Sequence, residues 1–205
     1  MIHLHNMDCM QAMAQMPDNA FDLAIVDPPY GMFKMGMQTG GHVKNKVFNR
    51  NELKKWDTQP SQKYFDELQR VSKYQIVWGG NYFTDKLPAK RCWIVWDKVQ
   101  YMPTYSKHEL AWTSFGSQCE IYKYRNIYQG KIHPTQKPVA LYTFCLNKYG
   151  KKGWRILDTH LGSGSSAIAA YNAGYEFVGY EIDKDYYNAA KKRLENHKRQ
   201  LRMFV

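Results

Sequence analysis

In Trp154-Arg155-Ile156-Leu157-Asp158-Thr159-His160-Leu161-Gly162-Ser163-Gly164-Ser165, a short apolar run stops at an acid and passes through two closely spaced glycines. The chain then enters the alanine-rich segment Ser165 to Asn172, which ends before Gly174. That order reads as strand, tight turn, helix. Gly162 and Gly164 let the backbone turn sharply and let a ligand approach it, and a helix start offers unpaired N–H groups. The next apolar run, Tyr175 to Tyr180, stops at Glu181, where a carboxylate can accept both hydroxyls of a ribose. Gly-x-Gly alone is equally a plain turn between strand and helix; the acid at the following strand end tips the reading toward a nucleoside-containing ligand. The third glycine of the dinucleotide fingerprint is missing, so no pyrophosphate site is expected.

The same alternation runs upstream. Strands are predicted over 21–26, 75–78, 92–96 and 109–112, besides 154–157 and 175–180. Helices are predicted over 61–72, where Tyr64, Phe65, Leu68 and Val71 recur at helical spacing, and over 138–149, 165–172 and 183 to about 203. Strands interleaved with helices predict an α/β fold with a mostly parallel sheet covered on both faces. Ligands then bind beyond the carboxyl ends of the strands. Two segments read as loops, Gly31 to about Gln59 and about Ser114 to Pro134.

The chain has 205 residues, which suits one domain spanning 1–205. The lysines and arginines, 29 against 18 acids, leave a net charge of +11. Such a field attracts polyanions, nucleic acid first and an acidic membrane surface second. No apolar run approaches the ~20 residues of a membrane-spanning helix. The start at Met1 lacks the basic and apolar regions of a secretory signal, and a cytoplasmic location is expected. Cys9, Cys92, Cys119 and Cys145 are scattered without CxxC spacing, so neither a metal site nor a disulfide framework is expected.

A second site stands at the first long strand's end, Asp27-Pro28-Pro29-Tyr30. Asp-Pro and Pro-Pro both break structure, and a turn is one reading. A turn does not explain two prolines set between a carboxylate and an aromatic. Prolines stiffen the backbone and lack N–H, which fixes the Pro28 carbonyl beside the Asp27 carboxylate as an acceptor pair. Two acceptors suit an exocyclic –NH2, which has two protons to give, and Tyr30 offers a face to a planar ring. Gripping both hydrogens draws an aromatic amine toward tetrahedral geometry and frees its lone pair for an electrophilic methyl held in line. The carboxylate also stabilises positive charge developing on that nitrogen.

Asp27-Pro28-Pro29-Tyr30 together with Asp158-x-x-x-Gly162-Ser163-Gly164 resembles the amino-group DNA methyltransferases that use S-adenosyl-L-methionine. The tetrapeptide precedes the glycine motif by about 130 residues, an order similar to the beta class of these enzymes. His133-Pro134-Thr135-Gln136-Lys137-Pro138, Asp8-Cys9, Trp56-Asp57 and Glu109-Leu110-Ala111-Trp112 fit that class, and Trp78-Gly79-Gly80-Asn81-Tyr82-Phe83 resembles its small phage and prophage members.

The resemblance implies a Rossmann-like methyltransferase fold with a seven-stranded sheet. It implies methyl transfer to N6 of adenine in double-stranded DNA by base flipping, in a restriction–modification or phage setting and in the cytoplasm of a bacterial or phage-infected cell. Asp27, Pro28, Pro29 and Tyr30 would form the catalytic loop, Asp27 also orienting the methionine part of the cofactor. Gly162 and Gly164 would line its sugar and methionine portion, with Asp158 and His160 in the same loop. Glu181 would hold the ribose, with Ile182 beside it. Asp8 and the Cys9 backbone would meet the adenine. Thr135 and Lys137 would approach the methionine carboxylate, with His133 in their motif.

Thr159-His160 stand where the family usually has Pro-Phe, which bears on cofactor affinity. His160 could supply the flat surface instead. Lys44, Lys46, Arg50, Lys54, Lys55, Lys123, Arg125 and Lys131 are the expected phosphate contacts, against the alternative of a solvated basic face. Met32, Met35 and Met37 lie in the loop expected near the flipped base. The target-recognition insert, about 114–132, is short. It predicts a short or relaxed recognition sequence, or recognition shared by a homodimer. The other readings are cytosine-N4 methylation, RNA adenine methylation, and a DNA-binding module that has lost the cofactor. A protein-glutamine methyltransferase is disfavoured by Asp27 and by the motif order. Cytosine enzymes more often carry Ser in place of Asp27, so Asp27 favours adenine.

Overall fold

The computed structural model describes residues 1–32, 57–100, 106–125 and 131–202. Eight strands form a single sheet: β1 (Ile2–Asn6), β2 (Phe21–Val26), β3 (Ser72–Trp78), β4 (Trp93–Asp97), β5 (His108–Thr113), β6 (Glu120–Lys123), β7 (Arg155–Asp158) and β8 (Glu176–Glu181). Their order is β1-β8-β7-β2-β3-β5-β4-β6, and β5 runs antiparallel to both neighbours while the other pairs are parallel. The fold is therefore the α/β methyltransferase type expected, with a correction: the described sheet has eight strands, not seven.

Side-chain alternation along the central strands divides the core in two. Leu23 and Ile25 of β2, with Ile76, Ile156 and Phe177, face three helices: α3 (Val139–Tyr149), α4 (Ser165–Asn172) and α5 (Lys184–Arg202). Ala24 and Val26, with Val77, Leu157 and Val178, face α1 (Cys9–Met13) and α2 (Gln62–Val71). Helices on both faces explain why β2 reads as an unbroken apolar run. In α2 the predicted stripe Tyr64, Phe65, Leu68 and Val71 is the buried one.

Two regions differ from the expectation. The strand β1 and the one-turn helix α1 are new, and β6 crosses the segment read as a loop, at the edge of the sheet. Trp56, Met35, Met37, Lys44, Lys46, Arg50, Lys54 and Lys55 lie outside the described residues. Among the described residues no helix is long and apolar enough to cross a membrane, and no group of three His, Cys, Asp or Glu could hold a metal.

The topology positions the site. β7 and β2 are neighbours, in register Leu23 with Ile156 and Ala24 with Leu157. From this pair the chain moves outward in opposite directions, β7 to β8 and β2 to β3. A crevice opens at such a switch point, outside the carboxyl ends of the strands. Asp27 follows β2 and Asp158 ends β7, so the two acids flank that crevice.

Candidate active site

The first wall begins where Pro28 and Pro29, lacking N–H groups, end the pairing of β2. The turned loop is pinned from both sides: Gly31 N donates to the buried Asp57 at 2.8 Å, and Gln59 Nε2 donates to the Tyr30 carbonyl at 3.0 Å. The Tyr30 hydroxyl donates to Asp27 Oδ1 at 2.5 Å. Lys137 Nζ, on a side chain only 4% exposed, lies 2.5 Å from Asp27 Oδ2 and donates to the Tyr30 hydroxyl at 3.0 Å. Both oxygens of Asp27 thus face proton donors. Tyr30 is half-buried and tied to Asp27.

Tyr30 also stacks on Tyr82, with ring centres 4.9 Å apart and planes 18° from parallel, and meets the edge of Phe83. Gly79 makes that placement possible. It sits at φ +70°, and a β-carbon there would lie 2.1 Å from Tyr30 Cε1. Gly79, in the stretch that resembles small phage and prophage members, is the floor under the aromatic ring.

Glu109 and Lys98 extend this network. Glu109 is the second residue of the antiparallel β5 and therefore lies at the same end of the sheet as Asp27. Its Oε1 is 2.5 Å from Lys98 Nζ, and its Oε2 is 3.3 Å from Lys137 Nζ. Oε2 is buried, and among the described residues no donor meets it in good hydrogen-bonding geometry. Burial pushes the Asp27 carboxyl above the usual range; Lys137 opposes that shift and Glu109 adds to it. Burial alone would raise Glu109 as well, but the ammonium groups of Lys137 and Lys98 hold it below the ordinary value. Burial works against a charged Lys137, yet Asp27 and Glu109 keep it above the usual lysine range. Lys137 is thus a cation shared by two carboxylates. Sequence reasoning missed Glu109 as a site residue; the available signal was an acid heading an otherwise apolar strand.

The second wall is the loop 158–164. Asp158 accepts from His160 N at 3.0 Å and from Ser166 Oγ at 2.5 Å. Burial pushes its carboxyl up to about 7, with Asp27 among the charges that add to the rise. Glu181 Oε2 accepts from Gly162 N at 2.8 Å and Oε1 from Asp183 N at 3.0 Å, so the end of β8 holds the glycine turn. His133 packs over Gly162, where a β-carbon would come within 3.5 Å of its ring, and its Nδ1 is 3.1 Å from Thr135 Oγ1. Ser165 Oγ donates to the Lys137 carbonyl at 2.7 Å, tying the 133–138 segment to the start of α4. His160 stands edge-on to Tyr64, its Nδ1 2.9 Å from Thr159 Oγ1, which is in turn 2.6 Å from the Tyr64 hydroxyl. Burial pushes His160 and His133 down to about 4, so both rings are neutral at pH 7.

The predicted residues separate into groups. Asp27, Tyr30 and Lys137 are in direct contact. Asp158, His160, Gly162, Glu181, His133 and Thr135 line the facing loop, and Gly164 at φ +72° packs against Ala190 of α5. Asp8 spends an oxygen capping α1, accepting from Met10 N at 2.7 Å, although its charge still reaches His160. Ile182 is 69% exposed beyond the strand end. Lys123 is paired in register with Asp97, which places Lys123 and Arg125 at the crevice end of the sheet, both exposed, and Lys131, also exposed, feels the charges of Lys98 and Glu109.

Comparisons with known proteins bear on the family and the fold. A family profile described as DNA methylase, of the N6/N4 type, matches residues 42–192. The putative methylase YubD of Escherichia coli K12 is 24% identical over 213 residues, covering 91% of this chain and 87% of that protein. The type II methyltransferase M.HpaI of Haemophilus parainfluenzae is 25% identical over 237 residues, covering 92% and 73%. Among solved structures, the M1.HpyAVI–SAM complex superposes with a TM-score of 0.63 at 20% identity, covering 94% of this chain and all of that one; this likeness is one of fold.

Proposed function

The chain belongs to the N6/N4 DNA methylase family, and from that premise we propose that it methylates the exocyclic N6 of adenine in double-stranded DNA. It is a DNA methyltransferase that uses S-adenosyl-L-methionine. The observation that carries the reading is the adjacency of Asp27 and Asp158 across the β2–β7 switch point. A methyl acceptor at one loop and a nucleoside cofactor at the other are then within reach of each other.

The residues fit such a cofactor. Gly162, at φ +51°, donates its N–H to the Glu181 carboxylate, so the glycine turn and the acid that would hold a ribose stand together. Glu181 would hold the ribose and the loop 158–164 its neighbouring atoms. Asp8 and the Cys9 backbone, at the end of β1, would face the adenine. His133 and Thr135 would stand near the amino-acid end. The cofactor supplies an electrophilic methyl on a sulfonium.

The chain's own residues handle the amine. Asp27 and the Pro28 carbonyl would accept its two hydrogens and free the nitrogen lone pair. Asp27 also stabilises the positive charge that develops on nitrogen. Its carboxyl, raised by burial, is a fitting recipient for the proton released afterwards. The base has to leave the duplex, at a few kcal/mol, to reach the Asp27 loop, where Tyr30 and Tyr82 stack on each other. Lys123, Arg125 and Lys131 stand at that end for the phosphates.

Adenine is preferred over cytosine because Asp27 heads the tetrapeptide. The motif order supports the beta class, and the short segment about 114–132 supports a short recognition sequence or a homodimeric reader. Nucleoside mass spectrometry of duplex DNA incubated with protein and S-adenosyl-L-methionine tests the assignment. N6-methyladenine is expected; N4-methylcytosine would transfer the same geometry to the other base.

A further inference from the structure

The carboxylate that must grip the target amine is already occupied in the free protein. Tyr30 holds Asp27 Oδ1, and Lys137 holds Oδ2 at 2.5 Å. An incoming –NH2 has to replace at least one of these donors. Moving Lys137 out into the crevice would strand a buried ammonium, which is costly without a new partner.

That partner is present. Glu109 Oε2 is buried and lies 3.3 Å from Lys137 Nζ, and among the described residues no donor meets it in good hydrogen-bonding geometry. Its sister oxygen is clamped at 2.5 Å by Lys98, which fixes the carboxylate in place. The resting contact between Lys137 and Oε2 is long and poorly aligned, so a small shift of Lys137 toward Glu109 improves it. Four charges stand in alternating order, Lys98, Glu109, Lys137, Asp27, and the shift keeps both ammonium groups on a carboxylate while Asp27 exchanges Lys137 for the target amine.

We propose that Glu109 is the positioning residue that receives the Lys137 ammonium when the target amine engages Asp27. Lys137 thus has two positions, on Asp27 at rest and on Glu109 in the complex with DNA. The shift breaks the Lys137–Asp27 hydrogen bond and makes one to Glu109 Oε2; no proton changes owner. Glu109 acts through Lys137 and touches neither the base nor the methyl. Tyr30 needs no equivalent, because its hydroxyl can remain on Oδ1 while the amine takes Oδ2. This inference rests on the proposed reading of the crevice as the site of amino-group methylation.

The test is a double-mutant cycle of Glu109→Gln and Lys137→Met, read by single-turnover methyl transfer, with calorimetric binding of S-adenosylhomocysteine and of duplex DNA measured separately. Glu109→Gln keeps the size and removes the charge that accepts Lys137. The expected result is a transfer rate about 100-fold lower, with both affinities within about threefold of wild type. In the Lys137→Met background the same substitution is expected to change the rate by less than about threefold, since residues acting as a unit are non-additive. Glu109→Asp, which keeps the charge but draws the oxygens back, is expected to lose about 10-fold, and it decides the matter if the glutamine variant does not fold. A glutamine or aspartate variant that transfers at the wild-type rate overturns the proposal. So does an equal loss with and without Lys137. Wild-type protein that binds the cofactor product and DNA but methylates nothing overturns the reading of the crevice itself, a result distinguishable from the failure of the Glu109 variants alone.

Discussion

Gly79 shows how much the site depends on a single missing atom. Its β-carbon would fall 2.1 Å from the Tyr30 ring, and its φ of +70° is a left-handed conformation. Gly79→Ala is expected to cost ~1–2 kcal/mol from the backbone alone, and more from displacing Tyr30. The melting midpoint should drop by at least ~2–4 °C, and methyl transfer should fall further than stability does, because Tyr30 would leave Asp27. The buried histidines make a second prediction. His160 is held at about 4, below its unfolded value near 6.5. A histidine with a depressed folded pKa contributes stability that is present above 6.5 and lost as pH falls through 4. Thermal melts of wild type from pH 7 to pH 4 should therefore fall more steeply than those of His160→Phe, with His133 accounting for part of what remains. Parallel curves would show that the His160 ring is not buried in its neutral form. The turn at Asp27 was legible in the sequence because two prolines cannot continue a strand's pairing. The Lys98–Glu109–Lys137 contacts were not, since they join residues far apart in the chain.

The strand–turn–helix unit from β7 to α4 is the element that local sequence specifies most fully. Its glycines, its strand end at Asp158 and its helix from Ser165 all stand where the spacing puts them. Gly164, at φ +72° with a β-carbon position 3.2 Å from Ala190, is the joint. Gly164→Ala should destabilise by ~1–2 kcal/mol and weaken cofactor binding in calorimetry, whereas a substitution at Gly153, where a β-carbon meets nothing within 4 Å, should leave cofactor affinity unchanged. Central strands were legible because burial on both faces makes them continuously apolar. The edge strands were not. β1 alternates Ile2 and Leu4 with exposed His3 and His5, and β6 buries only part of Glu120 and Tyr122. Such four- or five-residue edges carry little hydrophobic signal, and pairing with a neighbour decides them.

At the scale of the whole molecule, the net charge of +11 and the exposed Lys123, Arg125 and Lys131 at the crevice end predict electrostatically driven DNA binding. Affinity for duplex DNA should fall by roughly 10³-fold or more between 50 and 200 mM salt if about six phosphates are contacted; a flat dependence would move the DNA away from this face. Topology, more than any motif, brings the two loops together, since 131 positions separate Asp27 from Asp158 while their strands are neighbours. The most direct measurement is a crystal structure of the protein bound to S-adenosyl-L-methionine. The account predicts the ribose hydroxyls on Glu181, with the sulfonium methyl directed across the crevice toward Asp27. A cofactor bound away from the loop 158–164, or with its methyl turned from Asp27, would contradict it.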